Sequence, residues 1–237
     1  MNNKDEKIWI TRYIFTLKNE KKVFPVKIDK ESFRIILPER DIIPEWADLE
    51  FSICKNCPLD KNTDPYCPAA LSIIDVIEYF RDSVSWTEAD ISVETDNRSV
   101  FKHTSLQLGI SSLIGIHVAT SGCPVFGKLK PIALFHSPFA SAKKVVFRTL
   151  STYLLAQYYR KRKGKTPDWD LENLEKFYSE VHSVDKDFYI RLKKTGIIDA
   201  STNALNILDT YTNFVLFEIK NQALKDFEKL MSEYIDY

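Results

Sequence analysis

The chain has 237 residues, 44% hydrophobic and 13% aromatic, with only six glycines and ten prolines. That is enough apolar material for one large domain or two small ones, and it excludes a disordered or low-complexity polymer. Lys+Arg and Asp+Glu both number 33, so the formal net charge is zero; a globally basic nucleic-acid binder is disfavoured, with a local patch left open.

The first residues, MNNKDEKIW, are polar and lack the apolar region of a signal peptide. IWITRYIFTL then reads as β, with Ile8 and Ile10 alternating and Tyr13, Phe15 and Leu17 alternating out of phase, which predicts a bulge near Arg12. The polar run from Asn19 makes a turn. KVFPVKID follows as a partner strand, where Pro25 points to a sheet edge or a bulge. SFRIIL, from Ser32, reads as a third strand of a small antiparallel sheet.

Residues 38–68 form a connection in which Pro38, Pro44, Pro58, Pro65 and Pro68 exclude a long helix. A helix is predicted over ALSIIDVIEYFRDS, with Ile73, Ile74, Ile77 and Phe80 near one stripe. ADISVET and RSVFKH predict a hairpin around Asp96 and Asn97, with β-branched Ile91 and Val93 on one face.

From Ser105 the chain reads as helical. Leu106, Ile110, Leu113 and His117 share helical spacing, Ser111 and Gly115 give one small face, and Gly122 with Pro124 ends the helix. This stretch, around Gly109 to Val118, is the longest apolar run and is too short and interrupted to span a bilayer. Further helices are predicted over 141–163, stopped by Gly164, from a cap at Asp170 to about Val181, over 185–194, and over about 202–234. Leu205, Leu208, Thr212, Val215, Ile219, Ala223, Phe227 and Leu230 form the stripe of the last one. The fold class is therefore α+β: a β-rich region over 1–138 that bears the cysteines, and a helical region over 139–237 that can share its core.

The four cysteines carry the sharpest expectation. Without a membrane segment or leader the expected location is the cytoplasm, where thiols stay reduced and an even cysteine count reads as metal or chemistry before disulfide. Cys54 and Cys57 form a C-x2-C, Cys67 follows after nine residues and Cys123 after a further 55. Such a turn brings two thiolates to one ion, and two more complete the tetrahedron that zinc prefers. The polar loop from Cys54 to Cys67 has little to bury, and a structural zinc ion contributes roughly 10–16 kcal/mol to folding. Cys57, Cys67 and Cys123 each precede a proline, as ligands of iron–sulfur clusters also do, so a cluster competes with zinc.

His117 reads as a fourth ligand, a hydrogen-bond donor behind a thiolate, or a base for a Cys123 nucleophile, against the plainer reading of a satisfied histidine between helices. His136, between Pro131 and Pro138, reads as a cap, a pocket lining or a turn residue without chemistry. Asp209 interrupts the apolar stripe of the last helix; a buried carboxylate there marks a functional site, an exposed one does not. Residues 143–165 hold eight basic and no acidic residues, with Tyr153, Tyr158 and Tyr159 interleaved. This suits a nucleic-acid backbone with stacked bases, although the seven carboxylates over 168–187 can neutralise it internally. Gly164-Lys165-Thr166 lacks the earlier glycine and the preceding strand of a P-loop.

WADLEF, CKNCPL, YCPAA, SSLIGI through ATSGCP, LFHSPFA, YLLAQY and DWDL together resemble an uncharacterised bacterial protein family with a CxxCP…YCP…SGCP pattern. The resemblance implies that the cysteine motifs belong together and carries over no catalytic residue. The sequence thus predicts a metal-binding module with a structural zinc centre on Cys54, Cys57, Cys67 and Cys123, with an iron–sulfur redox or sensor protein, or a cysteine-dependent enzyme, as alternatives.

Overall fold

The computed structural model describes residues 7–18, 20–196, 199–220 and 223–237. Four antiparallel strands form one sheet: β1 (Ile8–Leu17), β2 (Glu20–Asp29), β3 (Glu88–Glu94) and β4 (Ser99–Ser105), in the order β2-β1-β3-β4. Alternation decides which face is buried. Tyr13 lies opposite Phe24 on β2 and Val93 on β3, and Phe15 lies opposite Ile91, so these side chains share the core face. The expected bulge at Arg12 is absent, because the β1–β2 register runs without a skip from Ile8↔Asp29 to Leu17↔Glu20. Pro25 sits on the edge strand β2, where a missing N–H costs no ladder bond on the open side.

SFRIIL is not a strand and makes only the Ile28↔Ile35 bridge. Its backbone bonds are divided instead. Asp29 Oδ1 accepts from the Ser32 N–H and hydroxyl, Phe33 takes a positive φ of 56°, and Ile36 N bonds Lys27 O while Ile35 N bonds Thr120 O.

The helices are α1 (Pro68–Tyr79), α2 (Leu106–Thr120), α3 (Lys130–Leu134), α4 (Ala142–Arg162), α5 (Glu172–Lys194), α6 (Ala200–Lys220), α7 (Ala223–Leu230) and α8 (Ser232–Ile235). Helix α2 is central and packs on the sheet, α1 and α6. Gly109 permits the approach to the sheet: a Cβ there would lie 2.2 Å from Ile91 Cδ1 and 2.8 Å from Phe15 Cε1. Gly122, with φ +99°, ends α2, and Gly164, with φ +71°, follows α4, both as the sequence predicts.

Two helix expectations need correction. Residues 172–194 form one helix, because Leu174, Tyr178, Val181, Phe188 and Leu192 keep a single buried stripe and no glycine or proline interrupts it. Its first turn is capped by Asp168 rather than Asp170, with the N–H of Glu172 on Oδ1 and that of Asn173 on Oδ2 at 3.2 and 2.8 Å. The long C-terminal helix expected to about Tyr234 is interrupted at Met231, between α7 and α8. The turn read at Asn19, and Asn221 and Gln222 within that helix, lie outside the described residues.

The main cluster of buried apolar side chains draws on both sides of residue 138, from Tyr13, Phe15 and Ile73 to Phe188, Leu192 and Ala204. A smaller cluster joins Val146 and Leu150 of α4 to Leu174, Tyr178 and Val215. Among the described residues no helix is long and apolar enough to cross a membrane.

Candidate functional site

The structure brings Cys54, Cys57, Cys67 and Cys123 around one hollow of about 20 Å³, otherwise lined by side chains such as Leu59, Val125, Phe126, Val184 and Phe188. The hollow is not a metal centre. Among the described residues no group of three or more His, Cys, Asp or Glu side chains can hold a metal ion, and all four cysteines are free of disulfides. The four-cysteine zinc centre expected from the spacing is therefore corrected, and an iron–sulfur cluster on the same thiols gains no support. The physical reason lies in the surroundings. Burial pushes the Cys54 thiol up to about 12 and raises Cys67 and Cys123, the usual effect on thiols set among apolar side chains. Here the sulfurs serve as small apolar side chains.

What orders the cysteine-bearing loop is Arg191 of α5. It is 1% exposed. Its Nη1 donates to the carbonyls of Trp46 and Asp48 at 2.7 and 2.6 Å, and its Nη2 to those of Leu49 and Ser52 at 3.1 and 2.7 Å. Further along, Asp187 Oδ2 accepts the Lys55 N–H at 2.8 Å, and Asn56 Nδ2 donates to Glu180 O at 3.1 Å. Helix α5 thus does the tying that was expected of an ion.

His117 stands apart from the hollow. Its Nδ1 bonds the Ser72 carbonyl of α1, its Nε2 is buried with no partner among the described residues, and burial lowers its pKa to about 4. The ring is neutral and joins α2 to α1. Asp209 is half-buried and meets His182 Nδ1 at 2.5 Å, linking α6 to α5. On the basic helix α4, Tyr158 and Tyr159 are exposed. Among the described residues only Lys143 of its basic side chains meets a carboxylate, Asp226 of α7 at 2.9 Å, while the Tyr153 hydroxyl donates to Asp168 Oδ2 at 2.6 Å.

A second site lies within the helices. A cavity of about 180 Å³, partly open to solvent, is lined by α2, α3, α4, α5 and α6. Its walls include Ile116, Phe126, Val145, Leu208 and Val215. Its polar groups fall into two sets. In the first, Ser112 Oγ is 3.0 Å from His136 Nε2, and the hydroxyl of the buried Tyr13, outside the lining, backs the same nitrogen at 2.6 Å. Burial, with Arg148 and Arg98 nearby, lowers His136 to about 3, so the ring is neutral. Arg148 is held against the α3 region by the carbonyls of Ile132 and Phe135. In the second set, the Thr212 hydroxyl donates to Asp185 Oδ2 at 2.9 Å. Burial pushes Asp185 up to about 7, and Asp209 acts in the same direction. An apolar concavity with a few convergent polar groups and shifted pKa values is the usual form of a small-molecule site.

A family model described as a domain of unknown function, DUF6901, matches residues 10–232. The chain belongs to that family. No match was found among curated proteins or among solved structures. DUF6901 membership assigns no activity, so the chemistry must come from the side chains. In this DUF6901 chain the sequence left His136 as a cap, a pocket lining or a turn residue without chemistry, and the structure places it on the cavity wall. It missed Tyr13, Ser112, Arg148 and Asp185 as a group. Asp185 was the findable one, because it lies on the stripe of Val181, Phe188 and Leu192 once α5 is read as one helix.

Proposed function

We propose that this protein is a binding module for a small, largely apolar organic molecule, held in the cavity between α2 and the helices α3 to α6. The observation that carries the reading is the cavity itself, about 180 Å³ with mainly apolar walls. An apolar cavity of roughly 150 Å³ is enough for benzene, so a single ring or a short branched chain fits. Five helices contribute to the walls, so an occupant would touch all of them at once. The free state of the four thiols supports a reducing compartment such as the cytoplasm as its setting.

The test is a thermal-shift titration of the full chain with toluene. A ligand at about 100 times its Kd stabilises the folded state by roughly 2.7 kcal/mol, so Tm should rise with toluene concentration. The variant Ala133→Met, which extends a side chain into the cavity, should lose that response while remaining folded by circular dichroism. A Tm independent of toluene in the parent protein, or an equal rise in Ala133→Met, would overturn the reading.

A further inference from the structure

Arg148 enters the cavity wall from α4 with donors to spare. Both of its hydrogen bonds leave from Nη2, to the carbonyls of Ile132 and Phe135. A guanidinium carries five N–H donors, and among the described residues Nε and Nη1 meet no protein acceptor. Burial disfavours the Arg148 charge, and Arg98, whose own Nη2 donates to the His136 carbonyl, acts in the same direction. Among the described residues neither arginine has a carboxylate within ion-pair distance. Arg98 is exposed, whereas Arg148 is half-buried on the cavity wall beside the neutral His136, without a counter-charge among the described residues. Half-buried positive charge of this kind is costly unless an anion joins it.

We infer that the molecule bound here is a small apolar carboxylate, its hydrocarbon body in the cavity and its carboxylate on the spare donors of Arg148. This rests on the cavity being a binding site, and it names the chemical class of the ligand. Ser112 and Ser137 also line the cavity and add hydroxyl donors. Asp185 shares the cavity, but its carboxyl is engaged by Thr212, and burial keeps it largely protonated up to about pH 7. A Ser112 nucleophile is the weaker assignment for the same residues. The lone pair of His136 Nε2 already faces the shorter contact from Tyr13, at 2.6 Å against 3.0 Å from Ser112.

The test is a ligand-observed NMR titration of the full chain at pH 6.5 with toluene, benzyl alcohol and benzoate. A charge-assisted hydrogen bond predicts that benzoate binds about tenfold or more tightly than benzyl alcohol. Arg148→Gln should erase that preference and leave toluene binding in place. Should Arg148→Gln not fold, Arg148→Lys keeps the charge and should retain part of the preference. Toluene binding with benzoate no tighter than benzyl alcohol would overturn the inference and spare the cavity. Failure of all three to bind would overturn both.

Discussion

Arg191 Nη1 donates to the carbonyl of Trp46 at 2.7 Å across 145 positions of sequence. Three further carbonyls, of Asp48, Leu49 and Ser52, converge on the same guanidinium. One side chain of α5 thereby fixes the approach to the cysteine loop. Arg191→Met should leave four carbonyls to find other partners. With about 1–3 kcal/mol for each acceptor left unsatisfied, and partial relaxation, a loss of roughly 3–5 kcal/mol is expected. Urea unfolding reads this, and hydrogen exchange should accelerate first over residues 46–67.

The cysteines should behave as buried thiols. Burial raises Cys54, Cys67 and Cys123, so a disulfide reagent at pH 7.5 should label them slowly in the folded protein and rapidly in urea. Cys67→Ser places a hydroxyl in the apolar hollow and should cost about 1–3 kcal/mol, more than Cys67→Val. Equal rates of labelling in folded and unfolded protein would contradict this.

Asp185 predicts how stability varies with pH. Its folded-state pKa is raised to about 7 from 3.8, so between those values the folded state holds a proton that the unfolded state has lost. Stability should therefore be fully present below about pH 4 and fall as pH rises to about 7. By linkage the contribution is on the order of 4 kcal/mol at most. Asp209 from α6 acts on the group in the same direction, and the Thr212 hydroxyl opposes the shift. Asp185→Asn keeps an acceptor for Thr212, so it should raise Tm at pH 8 and flatten the curve between pH 4 and 7.

Gly109 sets the separation of α2 from the sheet. Replacing a helical glycine by alanine ordinarily stabilises by about 1 kcal/mol. Here the new Cβ would lie 2.2 Å from Ile91 Cδ1 and 2.8 Å from Phe15 Cε1. Gly109→Ala should therefore destabilise by roughly 1–3 kcal/mol. Ile91→Val removes Cδ1, so the double variant should recover part of the loss in a denaturation-based double-mutant cycle.

The elements legible in the sequence were those with local causes. The pairs around Tyr13 and Phe24 follow from alternation, and the ends of α2 and α4 follow from Gly122 and Gly164. SFRIIL was misread because its partners, Lys27 and Thr120, lie on different elements, which no local pattern records. The cysteine spacing was consistent with a shared neighbourhood for the four residues. It could not indicate that their surroundings would be apolar, nor that Arg191 would order the loop from 139 to 145 residues away. The cavity was invisible for a similar reason. Its polar groups come from α2, α4, α5, α6 and the segment after α3, and each of them alone reads as an ordinary residue of its element.

The most direct test of the account is a methyl-resolved NMR titration with toluene, following Ile116, Leu208 and Val215 inside the cavity against Val26 and Ile73 outside it. The account predicts saturable shifts of the first three methyl sets and little change in the other two. Absence of saturation, or shifts spread equally over both groups, would contradict it.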